Sequence, residues 1–262
     1  MIPVDWIAPT IPRAALVTGG AKRLGCAIAL ALADAGFDVA LHCHASTRAA
    51  EETADAIRAR NRRTCLIVAD LAEEAAVHRV FDMAAKSVGP IGVLVNNASA
   101  FERDEWHDAT RDSWDAHIEP NLRAPFVLMQ RFARALPDHA EGVVINMLDQ
   151  RVWSLTPHFV SYTVAKAGLW ALTQSMALAL APRIRVNGIG PGPALPSARQ
   201  DAEQFARQSA SVPLGRGTSP DEVARATLAI LGLPSMTGQM IALDGGQHMQ
   251  WHPQSGHPPI EE

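Results

Sequence analysis

Apolar and polar positions along the chain alternate between two textures. Short apolar runs bounded by glycine or polar residues occur at 14–20, 38–44, 64–70, 91–98, 142–148, 184–189 and 239–243. They are short for helices and read as buried strands. Between them lie segments with apolar residues at helical spacing. Residues 24–35 stop at Gly36, 48–60 are polar and Ala-rich, 73–88 end at Gly89 and Pro90, and 161–181 end at Pro182. Glycine and proline in those places are helix stop signals. Residues 198–209 and 220–231 are also helical in pattern. Residues 111–136 read as one long helix, with Pro120 and Pro125 predicting a break or kink.

Strands alternating with helices from end to end imply an α/β fold. The form expected is a Rossmann-type doubly wound parallel sheet of about seven strands, with helices on both faces and right-handed crossovers. The chain shows no internal linker or repeat, so one domain over residues 1–262 is expected. Residues 1–12, with three prolines and an acid before any base, predict an arm rather than a signal peptide. Residues 252–262 predict a loosely ordered tail.

Composition narrows the function. The chain has 23 Lys+Arg against 27 Asp+Glu, a net charge of −4, which argues against a nucleic-acid partner. No apolar run is long enough for a membrane span. Cys26, Cys43 and Cys65 have no C-x-x-C spacing, which predicts a reducing, cytoplasmic location. There is a single tyrosine, Tyr162.

The first strand runs into Thr18, Gly19, Gly20, Ala21, Lys22, Arg23, Leu24 and Gly25, which open the first helix. A dinucleotide pyrophosphate sits at such a junction, where N–H groups and the helix dipole face the anion and glycine permits close approach. Arg23 stands where many such loops carry glycine, and its bulk at a crowded turn needs a reason. The alternative for Lys22 and Arg23 is a solvated helix start. No acid ends the second strand to bind a ribose 2′-hydroxyl. His44, Ser46 and Arg48, with Lys22, instead suit a 2′-phosphate, which favours NADP(H) and leaves NAD(H) open. His42 and His44 lack a third partner, so no metal site is expected.

Tyr162 and Lys166 lie four residues apart, on one helix face. A neighbouring ammonium is expected to bring a phenol toward its working range. A helical tyrosine beside a surface lysine is the plain alternative. Asp149 lies just past the fifth strand, Asn96 and Asn97 at the end of the fourth, and Asn121 inside the interrupted helix. Open α/β sheets bind ligands at those strand ends.

Taken in order, the 18–25 loop, Asp70, Asn96-Asn97-Ala98, Asn121, Tyr162 with Lys166, Pro191-Gly192 and Asp244-Gly245-Gly246 resemble the short-chain dehydrogenase/reductase family, over residues 13–249. The resemblance implies hydride transfer with a nicotinamide dinucleotide and a homotetramer or homodimer. Tyr162 would be the proton donor, Lys166 would bind ribose and lower the tyrosine pKa, and Asn121 would hold a relay water. Asp70 and Leu71 would flank adenine. Asn97, Ala98, Pro191 and Gly192 would line the ribose–nicotinamide path.

The departures from the family resemble its pteridine reductase subgroup. Asp149 stands thirteen residues before Tyr162, where the family usually has serine, and Arg23 stands in a glycine position. By that resemblance Arg23 and Ser99 touch cofactor phosphate and substrate, Phe101 stacks on a pterin ring, and Asp149 with Tyr162 supplies protons to ring nitrogens. Ala45 departs from the Arg commonly found there, which weakens NADP selection. A carboxylate at position 149 would repel a developing alkoxide but can help deliver a proton to a C=N nitrogen. The expected activity is NADPH-dependent reduction of a dihydropteridine, dihydromonapterin or dihydrofolate. A general keto/alcohol dehydrogenase and a non-catalytic cofactor-binding sensor are the alternatives.

Overall fold

The computed structural model describes residues 6–197 and 199–249. Seven strands form one parallel sheet in the order β3-β2-β1-β4-β5-β6-β7. They are β1 (Ala14–Val17), β2 (Asp38–Cys43), β3 (Thr64–Val68), β4 (Val93–Asn96), β5 (Gly142–Met147), β6 (Ile184–Pro191) and β7 (Met240–Leu243). The helices are α1 (Arg23–Asp34), α2 (Thr47–Arg58), α3 (Glu74–Val88), α4 (Arg111–Ile118), α5 (Ala124–Ala135), α6 (Val160–Leu180), α7 (Ala202–Ser211) and α8 (Pro220–Leu231).

The two-residue period of the strands sorts the core into layers. Val17, Leu41, Val95 and Ile145 face α1 and α8 through Ile28, Leu32, Val223 and Ile230. Their neighbours Leu16, Ala40, Leu94 and Val144 face α3, α5 and α6 through Phe81, Leu128, Phe132 and Met176. Both faces are dry, which is why the strands read as unbroken apolar runs rather than as alternating ones. Each large side chain so buried contributes about 1.5–3 kcal/mol.

The structure refines the sequence reading at four places, each for a local reason. The irregularity expected inside the 111–136 helix falls at Pro120, where a π-helical turn, Glu119–Arg123, joins α4 to α5. The expected helix at 198–209 begins instead at Ala202, because Asp201 and Gln204 form a reciprocal capping box. β6 extends to Pro191, since Gly190 and Pro191 still pair with Ala242 and Leu243. The arm is packed where described: Ile7 and Ile11 are buried in the core beside α1 and α8, and the Trp6 ring lies against Gly232 at the end of α8. The 252–262 tail falls outside the described residues.

The chain winds from β1 out to β3, then returns to β4 on the other side of β1. The crevice beyond the carboxyl ends of β1 and β4 is therefore the topological switch point, where such sheets take ligands.

Candidate active site

The 18–25 loop is built for close approach. Gly19 has φ +62°, and a Cβ there would lie 2.9 Å from the Ala98 Cα. A Cβ at Gly25 would lie 2.1 Å from the Gly19 carbonyl oxygen. The α1 N-terminus has no side-chain cap from Lys22 and no acid in its first turn. Its dipole and leading N–H groups therefore suit an anion. Arg23 also has positive φ, 56°, which explains why glycine is the common choice there. Its guanidinium donates to the Pro196 carbonyl at 2.9 Å and the Leu195 carbonyl at 3.3 Å. It thereby pins the segment after β6 over the crevice, an attachment that the sequence did not disclose.

Thr18 and Asn97 stitch β1 to β4 at the switch point. The Thr18 hydroxyl accepts from the Asn97 and Ala98 N–H groups, each at 3.0 Å. The Asn97 amide donates to the carbonyls of Thr18 and Gly19 at 2.9 and 3.0 Å. His42 fixes the same loop. Its Nδ1 accepts from the Gly19 N–H at 3.3 Å, and its Nε2 faces the Ala69 carbonyl at 3.0 Å. Burial pushes the His42 pKa down, which favours the neutral ring with its proton on Nε2. Asn96 and Asn146 turn away from the crevice. The Asn96 amide donates to Asn146 Oδ1, and Asn146 donates to the Thr173 hydroxyl on α6.

The stretch after β4 is bolted down at alternate residues. Asn121, buried in the π turn, accepts from the Ala100 N–H at 2.8 Å and donates to the Ala100 carbonyl at 2.9 Å. Its side chain therefore positions the chain. His117 Nε2 accepts from the Glu102 N–H at 2.9 Å. The Asp104 carboxylate accepts from the Ser161 N–H at 3.2 Å and from its hydroxyl at 2.5 Å. His117 Nδ1 lies 2.7 Å from the same hydroxyl. Asp104, His117 and Ser161 are all buried. Ser99 and Phe101, between the bolted residues, line the crevice. Sequence reasoning missed this bracket. An apolar-rich chain that buries Asp, His and Ser together is a signal, but their spacing is not local.

The bracket leads into α6, which carries Tyr162 and Lys166. Tyr162 is 6% exposed, and its hydroxyl donates to Asp149 Oδ2 at 2.9 Å. Lys166 is 3% exposed, and its ammonium donates to the Met147 carbonyl at 2.8 Å, 5.7 Å from the Tyr162 ring centroid. The net shift of the phenol is upward, and the Lys166 ammonium is not among the groups that set it. Burial, then the Asp149 charge, pushes Tyr162 well above the ordinary tyrosine value. Burial brings Lys166 down to about 8. In both groups burial in the low-dielectric pocket is the largest cause, and it disfavours the charged form.

The crevice is a cavity of about 280 Å³. Arg23, Leu24, Asn97, Ser99, Phe101, Asp149, Tyr162, Lys166, Pro191 and Gly192 meet in it. One face of Phe101 stacks on Phe159, centroids 4.6 Å apart at 10°. The Tyr162 ring meets Phe101 edge-on at 4.6 Å. The adenosine-end residues lie apart from this cavity. His44 and Asp70 form an exposed pair at 3.8 Å, Ser46 caps α2 without a side-chain hydrogen bond, and Lys22 is exposed. Asp70 accepts from the Ala72 N–H at 2.9 Å, and Leu71 is buried. Glycine clearance at Gly19 and Gly25 and the uncapped α1 terminus fit a nicotinamide dinucleotide.

These features define an oxidoreductase site on a doubly wound sheet. Residues 19–248 match the family model for enoyl-(acyl carrier protein) reductase. The chain is 31% identical to 3beta-hydroxysteroid dehydrogenase 1 of Eggerthella lenta, covering 88% of this chain and 92% of that one. It is 31% identical to the 3-oxoacyl-[acyl-carrier-protein] reductase FabG of Staphylococcus aureus, covering 90% and 98%. Among solved structures, FolM Alternative dihydrofolate reductase 1 from Brucella canis, complexed with NADP, superposes with a TM-score of 0.90 at 44% identity, covering 95% of this chain and 98% of that one. The chain belongs to the short-chain dehydrogenase/reductase family, whose members are oxidoreductases using nicotinamide dinucleotides. Among the described residues, no helix is long and apolar enough to cross a membrane.

Proposed function

We propose that this protein is an NADPH-dependent reductase of reduced pterins, acting on a dihydropteridine, dihydromonapterin or dihydrofolate at a C=N bond. The observation that carries this reading is the Tyr162–Asp149 hydrogen bond. A carbonyl substrate calls for a neutral donor at position 149, whereas a carboxylate suits a ring that offers N–H groups and takes a proton on nitrogen. The 44% identity to a FolM reductase supports it.

Bound NADPH supplies the hydride. Gly19, Arg23, Leu24 and Gly25 would hold its pyrophosphate, Lys22, His44 and Ser46 the 2′-phosphate, and Asp70 and Leu71 the adenine. Asn97, Ala98, Ser99, Lys166, Pro191 and Gly192 would hold the ribose and nicotinamide end. Phe101 and Ser99 would set the substrate ring, with Arg23 holding the segment above it. Tyr162, with Asp149 beside it, gives the proton to the substrate nitrogen as the neighbouring carbon takes the hydride. The π-bonding pair of C=N becomes the new N–H bond. Asn121 keeps the Phe101 stretch in place.

The test is NADPH oxidation with a panel of 7,8-dihydropterins beside steroid and 3-oxoacyl ketones. Turnover of a dihydropterin, abolished by Tyr162→Phe, is the expected result. Turnover of ketones alone, retained or improved by Asp149→Ser, would establish the keto-reductase reading that the 31% identical relatives favour. We read the working form as a cytoplasmic homodimer or homotetramer using the α6 surface, where Val164 and Leu178 are exposed.

A further inference from the structure

Asp149 Oδ2 is a shared acceptor. It takes the Tyr162 hydroxyl at 2.9 Å, and Arg151 Nη1 approaches the same oxygen at 3.5 Å. The other oxygen, Oδ1, accepts the Arg151 backbone N–H at 2.8 Å. One residue therefore holds both carboxylate oxygens, from the short turn that follows β5. Its side chain is 6% exposed. The guanidinium carbon lies 5.6 Å from the centroid of Phe101 and 6.0 Å from that of Tyr162. Lys166 is engaged elsewhere, with its ammonium on the Met147 carbonyl.

We propose that Arg151 is the positioning residue and counter-charge of the Asp149–Tyr162 pair, fixing the carboxylate through both oxygens and offsetting its charge as the phenol proton leaves. This rests on the reading of Tyr162 as proton donor. Before reaction the pair holds one proton and one negative charge. Once the proton passes to the substrate nitrogen, phenolate and carboxylate face each other with two negative charges. A buried cation beside the shared oxygen lowers the cost of that state. Arg151 also opposes the upward push of Asp149 on the phenol. Around the pair stand Lys166 from α6, His117 from α4 with its ring 6.1 Å from that of Tyr162, and Arg23 and Arg199 at the rim.

The test compares Arg151→Met, which keeps the apolar stem, with Arg151→Lys, which keeps the charge. With NADPH and a dihydropterin, Arg151→Met should lose about tenfold or more in kcat while NADPH affinity stays within about twofold. The alkaline limb of its kcat/KM profile should move to higher pH, and Arg151→Lys should bring it back toward wild type. A second readout needs no substrate. The one tyrosine, labelled with 13C at Cζ, gives one resonance; its alkaline midpoint should move upward in Arg151→Met and less in Arg151→Lys. That titration decides the role of Arg151 even if every dihydropterin fails as substrate. A tyrosine resonance whose midpoint is unmoved in Arg151→Met would overturn the proposal, as would wild-type kcat in that variant.

Discussion

Burial sets the titration of Lys166, and with it a pH dependence of stability. Its folded pKa is about 8 against an ordinary 10.5. Between those values the unfolded chain holds a proton that the folded chain has released, so this group makes stability rise with pH across that window. The full difference, 10.5 − 8 = 2.5 units, corresponds to roughly 3 kcal/mol. Tyr162 acts in the opposite sense and higher up: its raised pKa favours the folded state below about 10, and that contribution is lost as pH climbs through the folded value. In the cofactor-free protein, Lys166→Met should remove the rise between pH ~8 and ~10, read as urea midpoints beside wild type. Parallel wild-type and variant curves would contradict the assignment. Arg23 offers a second test. Its left-handed backbone costs about 1 kcal/mol, so Arg23→Gly should keep or raise Tm while raising the substrate KM through loss of the Leu195 and Pro196 contacts. The glycine-position anomaly was legible in the sequence. The carbonyls that Arg23 reaches, more than 170 positions away, were not.

At the scale of elements, the strand–turn–helix at 18–25 and the α6 face carrying Tyr162 and Lys166 were readable because their chemistry is local. Gly25→Ala should abolish NADPH binding in a fluorescence titration, since the added methyl would enter the Gly19 carbonyl. The π turn was half readable: Pro120 and Pro125 announced an irregularity but not its form, and such turns recur at functional sites. The α7 start is encoded locally, in the Asp201–Gln204 capping pair. The Asp104–Ser161–His117 bracket was not available, because three elements contribute to it. Ser161→Ala leaves buried polar groups of Asp104 and His117 short of a partner, so a loss of about 1–3 kcal/mol is expected by chemical denaturation. Ser161→Thr, which keeps the hydroxyl, should lose less. Equal stability of Ser161→Ala and wild type would contradict a structural role for the bracket.

For the whole molecule, seven parallel strands bring residues from distant sequence positions to one crevice at the β1/β4 switch point. Periodicity predicted the number and type of strands because both sheet faces are buried. The shape of the cavity depends on where the segment after β6 lies over Phe101 and Tyr162, and no repeating pattern encodes that. In the proposed reaction this crevice moves a hydride to a pterin C=N carbon and a proton to its nitrogen. NADPH deuterated at the transferable C4 position, incubated with a 7,8-dihydropterin, tests it directly. One deuterium on the reduced ring carbon of the tetrahydropterin, absent with Tyr162→Phe, is the predicted result. No deuterium in any pterin, with label appearing at the carbinol carbon of a ketone substrate, would contradict it.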